Sequence, residues 1–183
     1  TFIESMKDRP ASYTVFMTMY YTGIREGELL ALTPTDILPN KRIDINKNYA
    51  KIKGEELFLE PKTPKAKRCI SIPDFLYDDI QEYISKLYGI GNNDRIFYFQ
   101  KTALEKEMKR VSERAGLKPI RVHDLRHSHA SMLIDLGFSP LEIAERLGHE
   151  SVKTTLDTYS HLYPDKDQQL ADRLNQFRSS QGK

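Results

Sequence analysis

Three of the chain's five histidines, His123, His127 and His129, fall within seven positions, with Arg126 among them and Arg121 just before. Residues of these types in so short a span suit two chemistries. Imidazoles one helical turn apart can share a metal ion, and an imidazole beside a guanidinium can hold phosphate oxygens. His123-Asp124-Leu125-Arg126-His127 nearly reproduces the H-E-x-x-H pattern of zinc peptidases, in which the glutamate is the general base. Aspartate stands here for glutamate, with a shorter reach. Arg126 would set a cation beside the dication, and no third ligand follows closely. The phosphate reading instead pairs His123 with Arg126, three apart and so neighbours on one helical face. One such pair is a weak signal until other parts of the chain supply the remainder of a phosphoryl-transfer site.

The elements that must position these residues can be read from periodicity and from helix and turn signals. Pro10 starts a helix that Gly23 stops, with Tyr13, Phe16, Met17 and Tyr20 at helical spacing between them. A second helix, Ile24 to Leu32, follows and ends before Pro34. From Asp36 to Pro73 the pattern becomes strand-like: Ile43 and Ile45 alternate with polar residues, Lys53-Gly54-Glu55-Glu56 makes a turn, and Leu57 to Leu59 and Cys69 to Ile72 read as strands of one small antiparallel sheet. Pro61 to Lys67 forms a basic turn within it. Beyond Pro73 helices are expected over Pro73 to Tyr88, Thr102 to Ala115, Val122 to Leu136, Pro140 to Leu147, Val152 to Leu162 and Pro164 to Phe177. Ser139 with Glu142 is a capping box, and Gly116 and Gly137 sit where helix ends favour glycine. The fold class is α+β, mainly helical, with a small antiparallel β-sheet near the N-terminal third.

A third reading comes from the helix pair near the C-terminus. Ile143-Ala144-Glu145-Arg146-Leu147-Gly148, a short turn and a further helix resemble a helix-turn-helix, which would make the protein a DNA-binding regulator without catalysis. The helix after the turn, Ser151 to Tyr159, offers few groove-reading side chains: one lysine, no Arg, Asn or Gln, and a row of threonines.

Composition narrows the partners. The 183 residues carry a net charge of only +2, unevenly spread. Lys41 to Arg68 holds nine Lys/Arg against four acids, and Lys101 to Arg126 eight against four. Two basic regions on an acidic body suit either a face for a polyanion or an ordinary solvated lysine surface. No apolar run approaches the roughly 20 residues of a membrane span. The single cysteine, Cys69, rules out an internal disulfide framework and fits a reducing cytosol.

Five segments, in order, resemble the tyrosine recombinases of the phage integrase family. Thr22-Gly23-Ile24-Arg25-Glu26-Gly27-Glu28-Leu29-Leu30-Ala31-Leu32 is similar to that family's first arginine box. Pro61-Lys62-Thr63, at a hairpin turn before a strand ending Ile72-Pro73, looks like its lysine turn. His123-x-x-Arg126 resembles its H-x-x-R box, and Leu147-Gly148-His149 its L-G-H motif. Thr154 to His161 looks like the segment carrying its nucleophile, Tyr159. The likeness runs from about Pro10 to Pro164, and the ordered set is far more specific than any one box.

The resemblance implies the family's catalytic-domain fold and its reaction. A tyrosine hydroxyl attacks a DNA phosphodiester, leaving a 3′-phosphotyrosyl enzyme and a free 5′-hydroxyl, and a second 5′-hydroxyl reverses the step on a new partner. The bond energy stays in the intermediate, so neither ATP nor a metal or other cofactor is implied. Tyr159 would be the nucleophile. Arg25 and Arg126 would clamp the non-bridging phosphate oxygens, with Arg25 in the first turn of its helix and Glu28 holding it in place. His123 and His149 would add hydrogen bonds, one of them accepting the tyrosine proton. Lys62 would protonate the departing 5′-oxygen, with Lys65 and Lys67 as close rivals. His127 and His129 match no family role and read as helix packing or DNA-backbone contacts, and His161 resembles a common family residue of no fixed duty. Thr154 and Thr155 would cap or pack the nucleophile's helix.

The domain reading is a catalytic domain over residues 1–183, with 164–183 as a helical tail whose Leu170, Leu174 and Phe177 form an apolar stripe, packing either on a neighbouring protomer or back on its own domain. The chain starts without a methionine, and no family core-binding domain precedes Pro10, which reads as a catalytic piece or a short relative. The expected partners are double-stranded DNA at a recombination site and further copies of the chain, a tetramer on DNA. The expected setting is the cytoplasm, for a protein encoded by a phage, genomic island or conjugative element.

Overall fold

A computed structural model describes residues 2–6, 8–61, 63–163 and 167–181 of the chain. Helix α1 (Pro10–Thr22) opens with proline in its first turn, where the missing N–H has no intrahelical acceptor to lose. It closes at Gly23, whose φ of 64° lies in the left-handed region and whose N–H returns to the Met19 carbonyl. The next helix, α2 (Glu26–Leu30), is shorter than Ile24 to Leu32. Arg25 takes an extended conformation as the capping residue instead of joining the first turn, and only five residues are α-helical.

The strands are β1 (Ile37–Leu38), β2 (Arg42–Ile45), β3 (Asn48–Ile52), β4 (Glu55–Leu59) and β5 (Arg68–Ser71). All pairings are antiparallel, but they divide into two ladders: a three-stranded sheet in the order β1-β2-β5 and a separate β3–β4 hairpin. The division has a local cause. After Ile45, Asn46 donates its amide to Asp36 and Asp44, and the Lys47 ammonium pairs with Asp36. These side-chain anchors take the chain out of the first ladder before the hairpin begins. The turn at the hairpin's tip is Lys53-Gly54 alone, with Glu55 and Glu56 already in β4.

Helices α3 (Asp74–Ser85), α4 (Lys101–Arg114), α5 (Asp124–Asp135), α6 (Pro140–Leu147) and α7 (Val152–Tyr159) follow, and the last continues into a single 3₁₀ turn, Ser160–Leu162. The Ser139–Glu142 capping box forms as the spacing predicts. The main core joins Val15, Phe16 and Met19 of α1 to Ile43 and Ile45 of β2, Leu76 and Ile80 of α3, and Leu104 and Met108 of α4. A second, smaller cluster matters more for chemistry. Ala130, Leu133 and Ile134 of α5, Ile143 and Leu147 of α6, and the Tyr159 ring at the end of α7 pack together. Each fully buried Leu or Ile contributes roughly 1.5–3 kcal/mol, so this cluster fixes α7 against α5 and α6.

Helix α8 (Asp167–Gln181) is the expected tail helix, starting just after three residues outside the described set. Its Leu170, Leu174 and Phe177 are about 60% exposed, so nothing of its own domain covers the stripe.

Candidate active site

Four segments from distant parts of the chain meet at one place. The turn from Gly23 brings Arg25 to the head of α2, where a capping box holds it: the Arg25 N–H donates to Glu28 Oε2 (3.0 Å) and its guanidinium to Oε1 (2.8 Å). The same guanidinium reaches the Gly148 carbonyl. Arg126, in the first turn of α5, is buried and donates to the carbonyls of Gly23 and Leu147, which ties the end of α1 to the end of α6. Gly148 ends α6 in the left-handed conformation (φ 66°), and a Cβ there would sit 2.9 Å from Arg68 Nη1. Glycine is therefore required both by the backbone and by the neighbour. The turn it makes sets His149 against α7, with Nδ1 2.8 Å from the buried Thr155 hydroxyl.

One participant was not singled out from sequence. Arg68, at the start of β5, grips the Glu28 carboxylate with both terminal nitrogens (2.9 and 3.2 Å) and donates Nε to the Arg146 carbonyl. In the sequence it is one of nine basic residues in its region, and only the β2–β5 register turns it inward. Glu28 thus serves two arginines. Beyond them opens a cavity of roughly 350 Å³ lined by Arg25, Glu28, Asn48, Pro61, Gly148 and His149. Lys62 lies outside the described residues, while its neighbours Pro61 and Thr63 line this cavity.

Positive charge and burial dominate the electrostatics here. Two guanidiniums, Arg25 and Arg68, hold one carboxylate, and that of Arg126 is spent on backbone carbonyls. Burial, then the charges of Arg25 and Arg68, pull Arg126 down to about 9. Burial pushes the Glu28 carboxyl up, but the Arg68 hydrogen bonds and the two positive charges prevail and leave it below the usual carboxylate range. His149 falls to about 4, by burial first and then by the charges of Arg126, Arg25 and Arg68. It is neutral at pH 7.

Tyr159 is 4% exposed, and its hydroxyl sits 2.8 Å from His127 Nδ1. Burial raises the phenol's pKa, and Arg126 partly opposes the rise. His127 was read from sequence as helix packing or a DNA-backbone contact; its ring packs against α7, turned to the phenol. His123 lies one turn back at the cap of α5, its ring edge-to-face with His127 at 5.0 Å. His129 packs instead as a buried partner of Arg146, accepting from its Nε at 3.0 Å. Thr155 supports His149, Thr154 lines the cavity, and His161 is exposed in the 3₁₀ turn.

The two competing readings meet this geometry differently. Among the described residues no three of His, Cys, Asp and Glu gather to hold a metal ion, and His127 Nδ1 is committed to a phenol. The α6–turn–α7 pair exists, but α7 turns Thr155 and Tyr159 inward. No described helix is long and apolar enough to cross a membrane.

The helical body with its small antiparallel sheet is the fold of the tyrosine-recombinase catalytic domains. It matches the Tn1549 transposon integrase, solved in complex with circular intermediate DNA, with a TM-score of 0.78 at 20% identity over 94% of this chain and 64% of that one. It also matches the catalytic domain of bacteriophage HP1 integrase, with a TM-score of 0.59 at 23% identity over 89% and 81%. Residues 1–166 match the model of the phage integrase family, and the chain belongs to that family. It is 36% identical to the ICEBs1 integrase of Bacillus subtilis (strain 168), over 88% of this chain and 48% of that protein. It is 31% identical to the integrase of Staphylococcus phage L54a, over 85% and 49%. The chain thus spans about half the length of the curated relatives it matches.

Proposed function

We propose that the protein is a site-specific DNA recombinase that cleaves and rejoins strands through a 3′-phosphotyrosyl intermediate, as part of a mobile genetic element. The observation that carries this is one arrangement: a buried tyrosine hydroxyl, hydrogen-bonded to a histidine and under the charge of Arg126, which in turn feels two further guanidiniums held by a single carboxylate. In the reaction Tyr159 Oη bonds to phosphorus and the bond from phosphorus to O5′ breaks. Arg25 and Arg126 neutralise the non-bridging oxygens, where charge grows in the transition state. His149 and His123 donate to the same phosphate, and His149 gains a proton as the anion enters. Lys62 gives its proton to the departing O5′. Glu28 and Arg68 hold Arg25 in register. No step calls for a metal or a nucleotide.

Residues 1–183 act as the catalytic domain, with 164–183 as its helical tail. The exposed stripe Leu170, Leu174 and Phe177 supports a homo-oligomer on DNA, a tetramer, with the tail seated on a neighbouring copy. The proposed setting is the cytoplasm. The test is a suicide duplex, nicked so that the 5′ fragment diffuses away, incubated in EDTA. Denaturing gels and peptide mass spectrometry should find DNA attached to Tyr159, and Tyr159→Phe should yield none. If the protein in its full encoded length binds one sequence specifically but never forms the adduct, the helix-turn-helix regulator replaces this reading.

A further inference from the structure

Resting on the strand-transfer reading, we propose that His127, outside the Arg25, Lys62, His123, Arg126, His149 and Tyr159 set, is the base that takes the proton of the nucleophile. Its Nδ1 makes the only hydrogen bond recorded for the Tyr159 hydroxyl among the described residues, at 2.8 Å. The two histidines first considered for the tyrosine proton make other contacts. His149 spends Nδ1 on Thr155, and His123 meets the His127 ring, with no contact recorded to the phenol oxygen. A buried phenol is a poor nucleophile while protonated, so the ring nitrogen within hydrogen-bond reach of its oxygen is the one positioned to take the proton.

The role also requires one tautomer. To accept from Oη–H, Nδ1 must be bare, which puts the resting proton on Nε2. The ring borders an open surface groove with Asp124, Ser128 and Ser131. As Oη bonds to phosphorus, its proton moves to Nδ1 and His127 becomes an imidazolium. The electron pair of the broken phosphorus–oxygen bond leaves on O5′, which is protonated by Lys62. In the rejoining step the incoming 5′-hydroxyl returns a proton to Lys62 as its oxygen bonds to phosphorus, the bond from phosphorus to Oη breaks, and Oη recovers its proton from Nδ1. The same histidine is thus base in cleavage and acid in rejoining, with no net change in its protonation over the cycle.

The experiment measures single-turnover adduct formation on the nicked suicide duplex, with the protein in its full encoded length. His127→Ala should slow the step on the order of 10²- to 10⁴-fold, and added imidazole should restore part of the rate. His127→Asn places an amide close to where Nδ1 sits, so it can hold the phenol but cannot take its proton; it should stay slow while melting at the wild-type temperature. A His127→Asn variant at the wild-type rate, or a slow His127→Ala indifferent to imidazole, overturns the assignment. A wild-type protein that forms no more adduct than Tyr159→Phe instead removes the strand-transfer reading beneath it, so the two failures are told apart.

Discussion

The contact between His129 and Arg146 makes the protein sensitive to mild acid in a way that can be worked out. His129 is 1% exposed, and burial, then the charge of Arg146, pulls it down to about 3. An unfolded histidine titrates near 6.5. The folded state therefore binds fewer protons than the unfolded state throughout that interval, so stability rises with pH within it and falls as pH drops below 6.5. At pH 5 the unfolded histidine is almost fully charged while the folded one is not, and a gap of one and a half pKa units is worth about 2 kcal/mol. This is a large share of the 5–15 kcal/mol typical of a domain. Urea unfolding at pH 7 and pH 5 measures it. The control is His129→Gln, whose side-chain oxygen can accept from Arg146 but does not titrate. The variant should lose about 2 kcal/mol less than the wild type between the two pH values, whatever its stability at pH 7. His149 and His123, also held low, titrate in both proteins and cancel. Equal losses in both proteins would refute the argument and show that His129 is not held neutral by the fold.

Other perturbations report on the site directly. Glu28→Ala leaves the buried Arg68 guanidinium without its carboxylate and should cost about 3–5 kcal/mol in urea unfolding; a loss under 1 kcal/mol would mean that the pair is not buried in solution. Gly23→Ala forces a side chain onto a positive φ and sets Cβ 2.5 Å from Leu147 Cδ2 and 2.7 Å from His129 Cδ2. It should cost about 2 kcal/mol or more, read from the same melts. His149, followed by its ring signals in NMR, should titrate near 4 alone and at a higher pH once phosphate or vanadate occupies the cavity; an unmoved midpoint would place the anion elsewhere. Affinity for duplex DNA should fall at least about tenfold between 50 and 200 mM salt, measured by fluorescence anisotropy, since contacts to phosphate would dominate it.

The helices were legible because their signals are local. Pro10 and Gly23 bracket α1, Ser139 and Glu142 start α6, and each signal acts within one turn. The division of the sheet was not legible, because it depends on Asn46 and Lys47 reaching back to Asp36, a contact between residues about ten apart. The site divides along the same line. Arg25 and Glu28 could be paired from sequence because three residues separate them on one capping turn. Arg68 could not, since it meets Glu28 from forty residues away and is one basic residue among many until β5 pairs with β2. His127 was visible as a histidine but not as a partner of Tyr159. That contact depends on how the cluster of Ala130, Leu133, Ile143 and Leu147 sets α7 against α5. A motif fixes which residues share a turn, and only packing fixes which turns share a proton.

The same packing explains why the site can be unfavourable by itself and still be kept. Like charges repel, and the charges of Arg25 and Arg68 help pull Arg126 down to about 9, with Glu28 opposing them. Two features offset that repulsion. Glu28 is buried between two of the cations, and backbone carbonyls of Gly23, Leu147, Gly148 and Arg146 accept from all three. Carbonyl dipoles stabilise a cation without cancelling its charge, so the field at the cavity survives. A second carboxylate would have relieved the strain more fully and removed the attraction for phosphate with it. The arrangement is biased toward an anion carrying more charge than a ground-state diester. On the proposed reading that anion is the transition state at phosphorus, and the packing of Ile24, Leu29, Ile70 and Leu125 in the main core holds the neighbouring cations in place for it.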